Sequence, residues 1–223
     1  MYAINRGLFS LAVALITLGI MQNRSDAAPL TPGDLVISEV MANPSAVADS
    51  EGEWFELYNT TGSPIDLNGL ILSDNGSDSH TISVPTTLMI ASGGYLVLGR
   101  NDDYDLNGGY VPDYVYSDFS LANNDDEIII KEGTTTIARL DYTSVFGFVV
   151  AGKSRELSDV GIYPYEEDPF LMRETDFVEA TSPFGAGDLG TPGMAVIPEP
   201  STGLLVGFGL VGLGVVGRRH GLR

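Results

Sequence analysis

The sequence predicts an all-β body, and three observations carry that prediction. From Asp34 onward, short apolar runs alternate with turn clusters about every 8 to 15 residues, the rhythm of sandwiches and barrels. The chain is punctuated throughout by 27 glycines and 12 prolines. No stretch of ten or more residues repeats its apolar positions with the 3.6-residue period of a helix, so helix is expected to be minor.

Taken in order, strands are expected near Leu35 to Met41 and Trp54 to Asn59, where branched and aromatic residues are dense. Leu70 to Ser73 and His80 to Val84 flank the turn Asp74-Asn75-Gly76. Tyr95 to Gly99 follows Ser92-Gly93-Gly94, and Tyr114 to Tyr116 is a short run. Glu127 to Lys131 and Thr135 to Tyr142 are joined through Glu132-Gly133. Asn43-Pro44, Thr61-Gly62-Ser63-Pro64 and Asn68-Gly69 turn the chain elsewhere. These residue types favour turns because glycine reaches positive φ, proline fixes φ, and asparagine or aspartate bonds its own backbone. The single tryptophan, Trp54, is expected to fill the space between two sheets about 10 Å apart.

Charge and composition exclude several functions. With 30 acids against 11 bases, a formal net charge of -19 and no cysteine, the chain has no thiolate nucleophile, disulfide framework or zinc ribbon. Nucleic-acid backbone and anionic lipid are repelled at long range, so cations, basic surfaces or neutral polymers are the expected partners. Residues 29 to 197 hold 28 acids and six bases, a net of -22, so the body is more acidic than the whole.

Both ends read as addresses. Met1 to Gly7 carries the cation Arg6, Leu8 to Met21 is an apolar run, and a polar stretch ends in small residues at Ala27-Ala28. This is the pattern of a signal peptide over residues 1–28, cut by signal peptidase after Ala27 or Ala28. The apolar run is too short for a bilayer of about 30 Å. At the other end Pro198-Glu199-Pro200 precedes an apolar helix expected over Gly203 to Gly217, followed by Arg218 and Arg219. A span of that length covers only about 22 Å as helix, and its six glycines weaken it, so it suits transient retention. The positive-inside bias keeps the two arginines cytoplasmic. Residues 195–223 resemble the PEP-CTERM sorting signal of exported bacterial proteins. The resemblance implies that an exosortase-type membrane peptidase recognises Pro198, Glu199 and Pro200, so that the protein pauses in the inner membrane before reaching the cell surface or medium.

Four body segments carry a second resemblance: Ile37-Ser38-Glu39-Val40-Met41-Ala42-Asn43-Pro44, Gly52-Glu53-Trp54-Phe55-Glu56-Leu57-Tyr58-Asn59, Ile65 to Asp74, and Phe119 to Ile130. With Gly190-Thr191-Pro192-Gly193 as a closing turn, they resemble the lamin-tail domain. This implies an immunoglobulin-like β-sandwich over residues 29–194. Ser158 to Ala186 is long and irregular for a last crossing.

Three patterns suggest chemistry. Gly147 to Ser154 matches the phosphate-loop pattern G-x-x-x-x-G-K-S, but a glycine and a proline soon after it, at Gly161 and Pro164, leave barely two turns for the required helix. Nucleotide binding is therefore not expected. Asp103, Asp105 and Asn107 stand at positions 1, 3 and 5 of a calcium loop, with Gly108 at 6 and Asp113 nearby, but Tyr114 replaces the bidentate glutamate. Asn123 to Glu127 is a second acidic cluster, read as a turn entering a strand. Glu53 and Glu56 could suggest a glycosidase pair, yet three apart on a strand they face opposite ways. His80 stands alone, and no G-x-S-x-G, H-E-x-x-H or S-x-x-K occurs.

The expected function is an exported, non-enzymatic cell-surface or matrix protein, structural or adhesive and associated with exopolysaccharide. It would use no cofactor. Two alternatives are a calcium-dependent binding module and a polysaccharide or phosphoester hydrolase.

Overall fold

In the computed structural model, the described residues are 28–194 except 144, 146, 164–167 and 169. The signal peptide through Ala27, the sorting motif at Pro198, Glu199 and Pro200, the apolar segment 203–217 and both arginines at 218 and 219 lie outside them.

Among the described residues, thirteen strands form the body: β1 (Leu35–Met41), β2 (Trp54–Asn59), β3 (Ile65–Asp66), β4 (Ile71–Ser73), β5 (Ser79–Thr81), β6 (Met89–Ile90), β7 (Tyr95–Gly99), β8 (Tyr114–Val115), β9 (Asp126–Glu132), β10 (Thr135–Tyr142), β11 (Arg155–Leu157), β12 (Leu171–Arg173) and β13 (Phe177–Glu179). Helix among the described residues is minor: the turn Asp49–Gly52, 3-10 turns at Val160–Ile162 and Glu174–Asp176, and 3-10 geometry at Val145. A six-stranded sheet runs β13-β11-β1-β2-β7-β8, a five-stranded sheet runs β12-β10-β9-β4-β5, and β3 pairs with β6.

Alternation along the strands builds one core between the two large sheets. Val40, Phe55, Leu57 and Leu98 from the six-stranded sheet meet Leu72, Ile128, Ile130 and Leu140 from the other in one buried cluster. Gly133, at φ 57°, opens the hairpin between β9 and β10, a conformation that residues with a Cβ avoid. An immunoglobulin-like sandwich is thus formed, as expected.

The long segment after Ser154 is more ordered than its letters suggest. β11 pairs antiparallel with β1, joining Glu39 to Glu156 and Val40 to Arg155, and β13 forms the outer edge beside it. The Gly-Lys-Ser stretch therefore leads into an interior strand.

Candidate functional site

Side chains that alternate away from the core meet a second layer on the outer face of the six-stranded sheet. Met41, Trp54, Val97 and Tyr110 form a separate buried cluster there, with Phe184 against it. The Trp54 ring lies 5.9 Å from both Tyr110 and Phe184, edge-on to the latter. Trp54 is fully buried, but not between the sheets as expected. Loops fold over it: Ala186 N donates to Gly108 O (2.8 Å), tying residues 182–194 to the β7–β8 connection.

Next to this cluster lies a row of glutamates. β1 and β2 pair antiparallel with Ile37 opposite Leu57 and Glu39 opposite Glu56, so Ser38 is an extra residue bulging from β1. The bulge lets Glu39 join Met41 on the outer face while Ile37 and Val40 stay in the core. β11 then brings Glu156 to the other side of Glu39. Three glutamates on three adjacent strands thus lie side by side, all buried.

The chain segment that covers the row supplies its hydrogen bonds. Thr191 N donates to Glu39 Oε1 (2.8 Å), and Gly193 N donates to Glu56 Oε2 (2.8 Å). Ser154 Oγ donates to Glu39 Oε1 (2.5 Å), and Ser38 Oγ donates to Glu56 Oε1 (2.7 Å). The Thr191 hydroxyl lies 2.8 Å from Glu39 Oε2 and 3.3 Å from Glu156 Oε1. One hydroxyl has one hydrogen, so both contacts are hydrogen bonds only when one carboxyl is protonated and donates. Burial pushes Glu39 up to about 7 and Glu56 up to about 8, and raises Glu156 as well; bonds from Ser154, Thr191, Ser38 and Gly193 oppose it in part. Such a row is a partly neutral clamp whose oxygens are already engaged by the protein's own donors.

Gly190 explains why the turn can settle so closely. A Cβ there would lie 2.9 Å from Glu39 Oε1 and 3.0 Å from both Phe184 Cε1 and Ser154 Oγ. Asp188 continues the clamp, accepting from Ser45 N and Ala46 N through its carboxylate.

A family model described as Lamin Tail Domain matches residues 28–144, just over half of the chain. The chain belongs to the lamin tail domain family. The match stops before β11, so the part of the lamin tail sandwich that clamps Glu39 and Glu56 from above lies beyond it. A second model, the PEP-CTERM protein-sorting motif, matches residues 196–219, which include Pro198, Glu199, Pro200, Arg218 and Arg219. The lamin tail body is therefore exported, held briefly at the membrane and processed by an exosortase-type protease, and it ends at the cell surface or outside. No curated protein matches the sequence.

The remaining expected site residues are placed as follows. Asn107 is buried, and its amide donates to Asn101 O and Tyr110 O (both 2.9 Å) while its oxygen accepts from Gly109 N and Tyr110 N. Asp103 Oδ1 accepts from Asp105 N (3.1 Å), and Asp113 Oδ2 accepts from Val97 N (2.8 Å). Asn107 and Asp113 thus brace the loop that covers Trp54, and among the described residues no three acidic or histidine side chains are grouped to hold a metal. Asp126, from the second acidic cluster, accepts from Ala122 N (2.6 Å) at the entry to β9.

In the phosphate-loop pattern, a strand follows where a helix would be needed. Ser154 Oγ is engaged by Glu39, and Lys153 Nζ donates to Glu179 Oε2 (2.7 Å). Glu53 and Glu56 do point apart: Glu53 accepts from Leu121 N (3.1 Å) near Arg100, at 3.7 Å, and burial raises it to about 7. His80 accepts from Ser117 N at Nδ1 and lies 2.8 Å from the Tyr114 hydroxyl through Nε2, and burial lowers its pKa. A cleft of about 240 Å³ between Phe148, Arg155, Glu174, Thr175 and Phe177 is partly occupied by contacts of Arg155, which donates to Phe148 O and Gly147 O.

The glutamate row was missed at the sequence level. Its signal is an acid placed among large apolar residues in each of two strands, LVISEVM and WFELYN, where both strand faces are buried.

Proposed function

We propose that the protein is a non-enzymatic component of the extracellular surface matrix, structural or adhesive, whose partner is exopolysaccharide. The observation that carries this reading is the sorting motif at 196–219 attached directly to one lamin tail body. The body's hydrogen bonding supports it. Carboxylates that could serve as a catalytic pair, Glu53, Glu56, Glu39 and Glu156, accept from backbone amides and hydroxyls that build the fold. A net of -22 over residues 29 to 197 keeps the body hydrated and favours neutral or cationic polymer partners over anionic ones.

The test is fractionation of the native host with intact mass measurement of the protein in each fraction. The expected species lacks both ends and sediments with the polysaccharide matrix, leaving it when the polysaccharide is digested. A processed body found entirely free in the medium, or one that cleaves polysaccharide or phosphoester substrates between pH 4 and 9, overturns the proposal.

A further inference from the structure

The glutamate row lies unusually close to the sorting signal. Gly193 is bonded to Glu56, and Pro198 opens the motif five positions later. Met194 to Pro198 is four residue steps, which reach at most about 14 Å when fully extended. That is all the free chain between the folded body and the motif, so while the turn is held a membrane protease must take the motif within about 14 Å of the body.

Detaching the turn changes the geometry decisively. Leu189 N donates to Gly152 O (2.8 Å), Ser154 N donates to Leu189 O (2.9 Å), and Gly190 N donates to Ser182 O (2.8 Å). If the chain lifts from Gly190 onward while Leu189 stays paired, nine residue steps separate Leu189 from Pro198, with a reach of about 31 Å. That more than doubles the free chain and leaves an extended stretch for the protease to bind.

We propose that residues 190–193 form a latch on Glu39, Glu56 and Glu156, and that release of this latch precedes cleavage by the sorting protease. The tail leaves the body on the outer face of the six-stranded sheet, where Gly193 sits beside Val97. The latch therefore sets how fast the folded body departs. This inference rests on export through the sorting motif and not on the polysaccharide partner.

The experiment is a pulse-chase of the full chain in its native host, reading the half-life of the precursor. Three changes are compared: a ten-residue Gly/Ser insertion between Met194 and Ala195, Thr191→Val, which removes two hydroxyl contacts while keeping the amide, and Gly190→Ala, which forces the turn off Glu39. Each alone is expected to shorten the precursor half-life at least threefold. Neither substitution should shorten it further once the insertion is present, because the longer tether bypasses the latch. Thermal melts of the isolated variants identify any that fail to fold, and the insertion, which lies outside the body, keeps the test decisive. A half-life unchanged by the insertion overturns the latch. So does an effect of Thr191→Val that is the same with and without the insertion. A wild-type precursor that is never cleaved would instead contradict sorting itself.

Discussion

The two outer faces of the sandwich begin from the same strand alternation and end differently. On the five-stranded sheet, Arg139 and Asp141 of β10 point outward and pair half-exposed to solvent, with Nε to Oδ1 at 2.6 Å and Nη2 to Oδ2 at 2.9 Å. On the six-stranded sheet, Glu39, Glu56 and Trp54 also alternate away from the core, yet each has 0% exposure because residues 101–113 and 182–193 fold over them. The contrast teaches that burial on a sheet face is decided by what crosses it. A carboxylate in the second setting becomes a proton-holding part of the structure.

The largest expected effect breaks the covered face directly. Trp54→Ala removes the ring that Tyr110 and Phe184 pack against, and large-to-small changes of this kind cost about 3 to 5 kcal/mol. At about 2 to 4 °C per kcal/mol for a chain of this length, Tm should fall by roughly 6 to 20 °C in a thermal melt. Protease cutting within 182–194 should rise with it. A fall under 3 °C would mean that this layer contributes little and that the covered face is only nominally a second core.

Next comes pH. In an unfolded chain a glutamate titrates near 4.5, whereas in the fold burial holds Glu39 to about 7 and Glu56 to about 8. Between those values the folded chain binds more protons than the unfolded one, so the stability these carboxyls contribute is full below about pH 4.5 and falls as pH rises toward 8. Glu156 and Asp113 face the pair as further negative charges and strengthen the effect. Glu53, raised to about 7 beside Arg100, adds to it from the core side. Denaturant melts should show a midpoint several tenths molar lower at pH 8 than at pH 5, and Glu56→Gln should flatten that slope. A midpoint that rises over this range would contradict a proton-holding row.

How much of this was legible in the letters follows from the range of each interaction. β1, β2, β7 and β10 fall where alternation and turn residues put them, because a strand of five to eight residues carries its own pattern. β11, β12 and β13 have three residues each, too few for a period to show, and they exist because β1, β10 and β11 in turn offer them edges. The glutamate row needs partners 115 and 152 residues apart, plus a one-residue bulge at Ser38 that resets which side chains face outward. Nothing local encodes that. Trp54 was readable as buried but not as lying on the outer side, since Tyr110 and Phe184 arrive from distant loops.

The half-exposed pair on the other face should respond weakly. Asp141→Asn removes one partner of Arg139, and solvent-exposed ion pairs contribute about 0 to 1 kcal/mol. The expected Tm change is below about 3 °C, shrinking further in high salt. A larger loss would show that this face too is covered in solution, and would erase the distinction between the faces.

The smallest expected effect concerns calcium and the loop over Trp54. For Asp103, Asp105, Asn107 and Asp113 to surround an ion, Asn107 Oδ1 would have to give up Gly109 N and Tyr110 N, and Asp113 would have to release Val97 N. Those bonds hold the loop against Trp54 and β7, so coordination would compete with the fold. A native-state site with a Kd of 1 mM would add about 1.4 kcal/mol at 10 mM calcium, or about 3 to 6 °C in Tm. The expected shift is under 1 °C, matched by an equal concentration of magnesium. A calcium-specific rise of several degrees would mean that the loop rearranges around the ion, and that the layer over Trp54 is a binding surface as well as a lid.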